Sequence, residues 1–276
     1  MRSLRGEGRR RRLQGFTALI LGGLFLEILG CALVSDSPPI APEGVPSRRR
    51  DLAELLQGLA QRGRELRSLR TLAQVSYRGR DGRGGFQEAI LVRRPDRLRL
   101  ETLTPFGALL IITVDGHEVL GFHPREALFY RGRSSKENIL RYTRIPLEVV
   151  ELTSLLMGLP PVEIQDHWQA KGDAIQRDLK GGGREVVSFD PLQAIPIRWE
   201  RSGPDGRIEL SAHFSDFSPT PAGPFPLAIS LEDRSLGNRL EIRYQEPEVN
   251  VDLPSGLFIQ EKPANAKEVL LESLGG

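Results

Sequence analysis

The stretch Arg97–Asp115, RLRLETLTPFGALLIITVD, holds two extended segments that face each other across a turn. Arg97–Thr104 alternates polar and apolar residues, the period expected of a half-buried strand. Leu109–Asp115 is a short apolar run that reads as its partner. Between them, Pro105 fixes its own φ and Gly107 supplies the conformational freedom that a tight turn needs. Outward from this hairpin the pattern repeats: Leu72–Arg78 and Gly85–Arg93 precede it, Glu118–Phe122 and Leu128–Arg131 follow. Turn residues such as Arg80-Asp81-Gly82, Arg94-Pro95-Asp96 and Asp115-Gly116 separate them, which predicts an antiparallel meander.

A second run of strands is predicted further on, at Gln165–Leu179, Glu185–Phe189, Ile195–Arg201, Ile208–Phe217, Pro226–Asp233, Arg239–Tyr244 and Leu257–Glu261. So many strands with so few helices imply a large curved sheet or barrel. The two runs are joined by Ser134–Val162. There Pro146 suits a first helical position, Leu147, Val150, Leu155 and Leu159 form an apolar stripe, and Gly158 with Pro160-Pro161 stops the helix. A helix placed between two meanders and apolar on one side covers a face of the sheet. An earlier helix is predicted from Asp51, with Leu52, Leu55, Leu56, Leu59, Leu66 and Leu69 largely on one face and Asp51 with Glu54 as a capping pair. Residues Ala264–Leu274 read as a short terminal helix.

Before residue 51 the chain is of another kind. Arg2, Arg5 and Arg9–Arg12 form a basic head, Phe16–Leu29 is almost entirely apolar, and Cys31 follows. A basic region, an apolar core and a cut site make a secretory signal. The lone cysteine has no partner for an internal disulfide but can carry lipid as a new N-terminus. Ala32–Arg50, with Pro38, Pro39, Pro42 and Pro46, has too little apolar surface to fold and reads as an extended tether. The expected division is therefore 1–30 signal peptide, 31–50 lipidated cysteine and tether, and 51–276 folded domain. The formal charge of +2 misleads, because residues 1–30 hold six arginines and two glutamates. Without them, 32 basic side chains face 34 acidic ones, and a nearly neutral protein has no net pull on nucleic acid.

The segment around Cys31 resembles the lipobox of bacterial lipoproteins. Leu100–Gly107, followed by an apolar strand and Asp115-Gly116, resembles LolB, the outer-membrane lipoprotein receptor, and its LolA-like superfamily. So does Ile145-Pro146-Leu147 with the later Leu155–Pro160 block ending in Gly-Leu-Pro. The resemblance implies a mainly β (α+β) fold, an unclosed antiparallel β-barrel with a helical lid over a cavity for acyl chains. It implies a covalent lipid on Cys31 and no other cofactor, and attachment to the periplasmic face of the outer membrane. Membrane lipid, acylated lipoproteins and a periplasmic LolA-like carrier are the partners it implies. In such receptors a Pro-hydrophobic-Gly turn meets the membrane; here that is Pro105, Phe106 and Gly107. From the residues alone, an aromatic at a turn tip either folds back into the core or is exposed for contact.

Alternating strand positions supply a candidate cavity wall: Leu98, Leu100, Leu109, Ile111, Ile197 and Trp199, continued by Leu210, Phe214, Leu227 and Ile229. Each is equally an ordinary core residue. Transfer of a chain between apolar sites is driven by area and needs no catalytic group. The sequence carries no phosphate loop, dinucleotide fingerprint, zinc-helix motif or nucleophile elbow, and a non-enzymatic role is expected. His117 and His123 with Asp115 and Glu126 could be drawn as a metal site, but a solvated hairpin is the simpler reading. Arg93, Arg94, Arg97 and Arg99 form the densest basic patch, either the wet face of a strand or a surface for anionic head groups. Two classes of function follow: a lipid-anchored acyl-chain carrier, or an envelope scaffold or sensor that uses the fold for protein partners.

Overall fold

The computed structural model describes residues 51–165 and 167–274; the signal segment, Cys31 and the tether lie outside them. Helix α1 (Leu52–Glu65) comes first, and its N-terminus is capped as the sequence implies, with the Asp51 carboxylate accepting from the Glu54 N–H at 2.7 Å. Leu55 and Leu59 are its buried face. Removing the cap by Asp51→Ala is expected to cost about 1 kcal/mol, read as a lower urea midpoint with an unchanged slope.

Six strands follow as one meander: β1 (Ser68–Gly79), β2 (Gly82–Arg93), β3 (Arg97–Thr104), β4 (Gly107–Val114), β5 (Glu118–His123) and β6 (Leu128–Arg133). After two helices, a second meander runs through β7 (Gln169–Lys171), β8 (Ala174–Leu179), β9 (Gly183–Phe189), β10 (Pro196–Ser202), β11 (Ile208–Thr220), β12 (Gly223–Asp233) and β13 (Asn238–Val249). The two meanders fuse where β1 pairs antiparallel with β13, from Leu69 opposite Val249 to Arg78 opposite Arg239. A last strand, β14 (Lys267–Leu270), lies parallel to β6. The result is one sheet of 14 strands with β14 at one edge and β7 at the other; it does not close. This is the mainly β, unclosed architecture that the sequence implies.

Period two sorts the strands as expected. Ala73 and Val75, Ile90 and Val92, Leu98, Ile112 and Val114 turn inward and are buried in one core with α1 residues and the later helices. The helical interlude differs from expectation. It is two helices, α2 (Lys136–Thr143) and α3 (Val149–Leu156), because Arg144 ends α2 in the left-handed conformation and Glu148 caps α3. Pro146 lies in the connection rather than at a first helical position. Leu147, Leu155 and Leu159 are buried, but Val150 is 49 % exposed.

Four other boundaries differ. α1 ends at Glu65, so Leu66 and Leu69, expected on its apolar face, lie past it, Leu69 within β1. The predicted strand Gln165–Leu179 is a hairpin, broken at Gly172, whose φ of +63° turns the chain. Leu257–Glu261 is no strand: a single 3-10 turn, Ser255–Phe258, leads into irregular chain. Ala264–Leu274 is not helical but supplies β14 and a 3-10 turn, Leu271–Leu274. The open edge of β6 offers hydrogen bonds that outweigh helical periodicity in so short a segment. No helix among the described residues is long and apolar enough to cross a membrane.

Candidate functional site

Helices α2 and α3 lie over the concave face of the sheet and enclose a cavity of about 70 Å³. Strand residues Val75, Ile90, Leu100 and Ile112 form part of its floor, and Leu231, Leu240 and Ile242 continue it. Tyr142 and Thr143 of α2, with Leu152 and Leu156 of α3, form the roof. An apolar cavity of about 150 Å³ holds a benzene ring, so in this closed form the space is too small for a long acyl chain.

Only Leu100 of the ten predicted wall residues lines this cavity. Leu98, Trp199, Leu210, Phe214 and Ile229 are packed into solid core. Leu109, Ile111, Ile197 and Leu227 are only half-buried and do not join the core. For Leu109 and Ile111 the cause is a register shift: Thr102 pairs with Leu110 but Leu103 with Ala108. That bulge leaves Leu110 and Ile112 facing inward, and a slip of one residue exchanges the faces of a strand.

Sequence reasoning missed the residue that distinguishes the cavity, Glu88. It shares a face of β2 with Ile90 and Val92, is 8 % exposed, and its one hydrogen bond is a long one, 3.3 Å, from the Thr102 hydroxyl. Burial pushes its carboxyl up to about 7, with the Thr102 bond opposing. Strict alternation with Ile90 and Val92 was the available signal, since it places an acid on the apolar face. A folded-state pKa raised above the usual 4.5 means the native protein holds a proton the unfolded chain has lost. Stability is therefore greatest below about pH 4.5 and falls by up to about 1.4 kcal/mol per pH unit until about pH 7. Unfolding free energies measured across that range are expected to slope this way, and Glu88→Gln to flatten the slope.

Tyr142 points its hydroxyl toward β5, where Gly121 admits it: a Cβ at that position would meet the phenolic oxygen at 2.7 Å. The hydroxyl is buried with no partner among the described residues, and burial raises its pKa well above the ordinary range.

α3 is pinned at three points. Its Thr153 hydroxyl donates to the Pro95 carbonyl, the Leu156 carbonyl accepts from the Tyr244 hydroxyl at 2.8 Å, and Glu151 pairs with Arg201. α2 is held at both ends: the buried Asn138 donates to the Arg133 carbonyl at 3.0 Å and to Glu272 at 3.1 Å, while the Arg144 carbonyl accepts from Asn238 at 2.8 Å and the Arg144 side chain meets the exposed Asp81.

The β3–β4 turn lies at the end of the cavity marked by Leu110. Glu88, Thr102 and Leu110 form one cross-strand row; β3 runs two residues past Thr102 to Thr104, roughly 7 Å, and Phe106 lies in the turn beyond. Phe106 is 88 % exposed, and the Arg125 guanidinium from the β5–β6 turn sits 5.8 Å from its ring centre. The turn is rigid: the Thr104 hydroxyl accepts from the Phe106 N–H at 3.2 Å and donates to the Gly107 carbonyl at 2.8 Å, while Gly107 takes φ of +106°.

The basic patch is neither a wet face nor a free surface. Arg93 and Arg99 donate to the carbonyls of Leu253 and Leu257, each at 3.0 Å, and Arg94 donates to those of Gly63 and Leu66. Arg97 pairs with Asp96 and Asp115. These side chains clasp the end of α1 and the C-terminal segment to the sheet. Among the described residues no three histidine, cysteine or acidic side chains converge on a point that could hold a metal.

No family model and no curated protein matches the chain. Solved structures do. A domain described as an outer membrane lipoprotein-sorting protein from Vibrio parahaemolyticus aligns over 75 % of this chain and 97 % of its own, with 10 % identity and a TM-score of 0.53. A LolA superfamily protein from Nitrosomonas europaea aligns over 74 % and 97 %, with 14 % identity and a TM-score of 0.51. The fold is LolA-like. A DUF1329 family protein from Desulfovibrio piger shares it, with 11 % identity over 75 % of this chain and 95 % of its own and a TM-score of 0.57. At such identities the likeness is one of fold alone.

Proposed function

We propose that this protein is a lipoprotein, anchored through Cys31 to the periplasmic face of a bacterial outer membrane, that takes acyl chains beneath α2 and passes them to the membrane. The observation that carries the reading is Phe106, a fully presented aromatic on a rigid turn at one end of the cavity. A solvated aromatic has no folding role there, whereas a bilayer gains by receiving it. Loading requires the helical roof to open, since the closed cavity holds only about 70 Å³. No step needs a catalytic group; lipid on Cys31 is the only covalent addition.

Native mass spectrometry of the protein purified from bacterial cells tests this. Solvent-released acyl mass, reduced by Leu100→Trp in the cavity, is the expected result. A clean apo mass with no uptake of added lipid or acylated peptide overturns it. The near-filled interior favours a second reading, an envelope scaffold or sensor with protein partners, and that apo result is what it expects.

A further inference from the structure

The described fold buries three carboxylates, Glu88, Glu185 and Asp233, and pairs both oxygens only of Glu185. Glu185 receives Arg177 and Arg201. Asp233 accepts at Oδ1 from the N–H and hydroxyl of Ser235 and from the N–H of Leu236; its Oδ2 has no partner among the described residues, but it does not line the cavity. Glu88 has one long bond to Thr102 and otherwise faces the cavity. A carboxyl group has about four acceptor positions, so most of its capacity is unused. Its burial raises the carboxyl to about 7 and destabilises the ionised fold, which leaves a binding role rather than a structural one as its reason.

The groups facing Glu88 define what would complete it. β1, β4, β12, β13 and α3 contribute only aliphatic side chains, and β3 adds Thr102. From α2 come Thr143 and Tyr142, and Tyr142 is the one other titratable group lining the cavity; its phenol stays neutral. No lysine, arginine or histidine lines the space. A free carboxylate or phosphate would meet only repulsion from an ionised Glu88, whereas a donor would find an acceptor in an otherwise apolar site.

We propose that the ligand of this cavity is an amphiphile whose head group donates N–H, and that Glu88 is the residue that receives it. This rests on the acyl-chain carrier reading and names its ligand class. Binding uses ionised Glu88, so an amine ligand binds better as pH rises through the carboxyl's range, while a ligand without a donor does not.

The test is displacement of an apolar fluorophore from the full-length protein by dodecylamine and by methyl dodecanoate, which has no donor. The expected result is an amine affinity about tenfold higher at about pH 8 than at about pH 6, following the ionised fraction, with the ester unchanged between them. In Glu88→Gln the pH difference for the amine disappears. If the ester binds and the amine is no tighter and no more pH-dependent, Glu88 is not a head-group receptor and the carrier reading stands. If neither probe binds at either pH, both fall. The wild-type comparison decides the matter even if the variant does not fold.

Discussion

Glu185→Gln lowers the unfolding free energy by about 3–5 kcal/mol, the range for breaking a buried ion pair by removing one partner. Glu185 is fully buried, and each of its oxygens takes one arginine: Arg177 at 2.8 Å and Arg201 at 3.0 Å. Those guanidiniums are themselves mostly covered and lie against indole rings, Arg177 over Trp168 at 5.2 Å and Arg201 over Trp199 at 4.9 Å. Glutamine keeps the shape but removes the charge and turns an N–H₂ toward an arginine donor. Arg201 keeps Glu151 of α3. The urea midpoint drops with the slope unchanged. A loss below about 1 kcal/mol would show that water already reaches the cluster, the behaviour of exposed pairs.

Phe106→Glu has the opposite profile. An exposed side chain contributes little to the fold, so stability stays within about 0.5 kcal/mol of the wild type. Transfer of bound acyl chain to vesicles falls about ten- to hundred-fold, because inserting the ring contributes about 1.5–3 kcal/mol and the carboxylate opposes insertion. Phe106→Leu keeps most of the transfer rate. An unchanged rate in Phe106→Glu would remove the turn from the delivery step, and a loss of folding would place the ring in the core.

Much of this fold was legible because its strands announce themselves. Arg97–Thr104 matches β3 at both ends, since Pro95 and Pro105 bound a clean alternation. The bulge at Leu103 was not legible: an extra residue in one strand leaves no mark on composition, yet it reassigned Leu109 and Ile111. The split between α2 and α3 depends on the left-handed Arg144, a conformation that no local rule assigns to arginine. β14 depends on an edge far away in sequence. Phe106 stood out as a candidate because its turn chemistry is local. Glu88 did not, because what makes it unusual is a helix roof contributed from 54 residues later, at Tyr142.

The outermost strands are β7, three residues, and β14, four residues. A long open sheet invites a second molecule to continue it. Ends this brief give an incoming strand few hydrogen bonds and little register to copy. The sheet is thus left unclosed with rims that give strand-by-strand self-assembly little to build on.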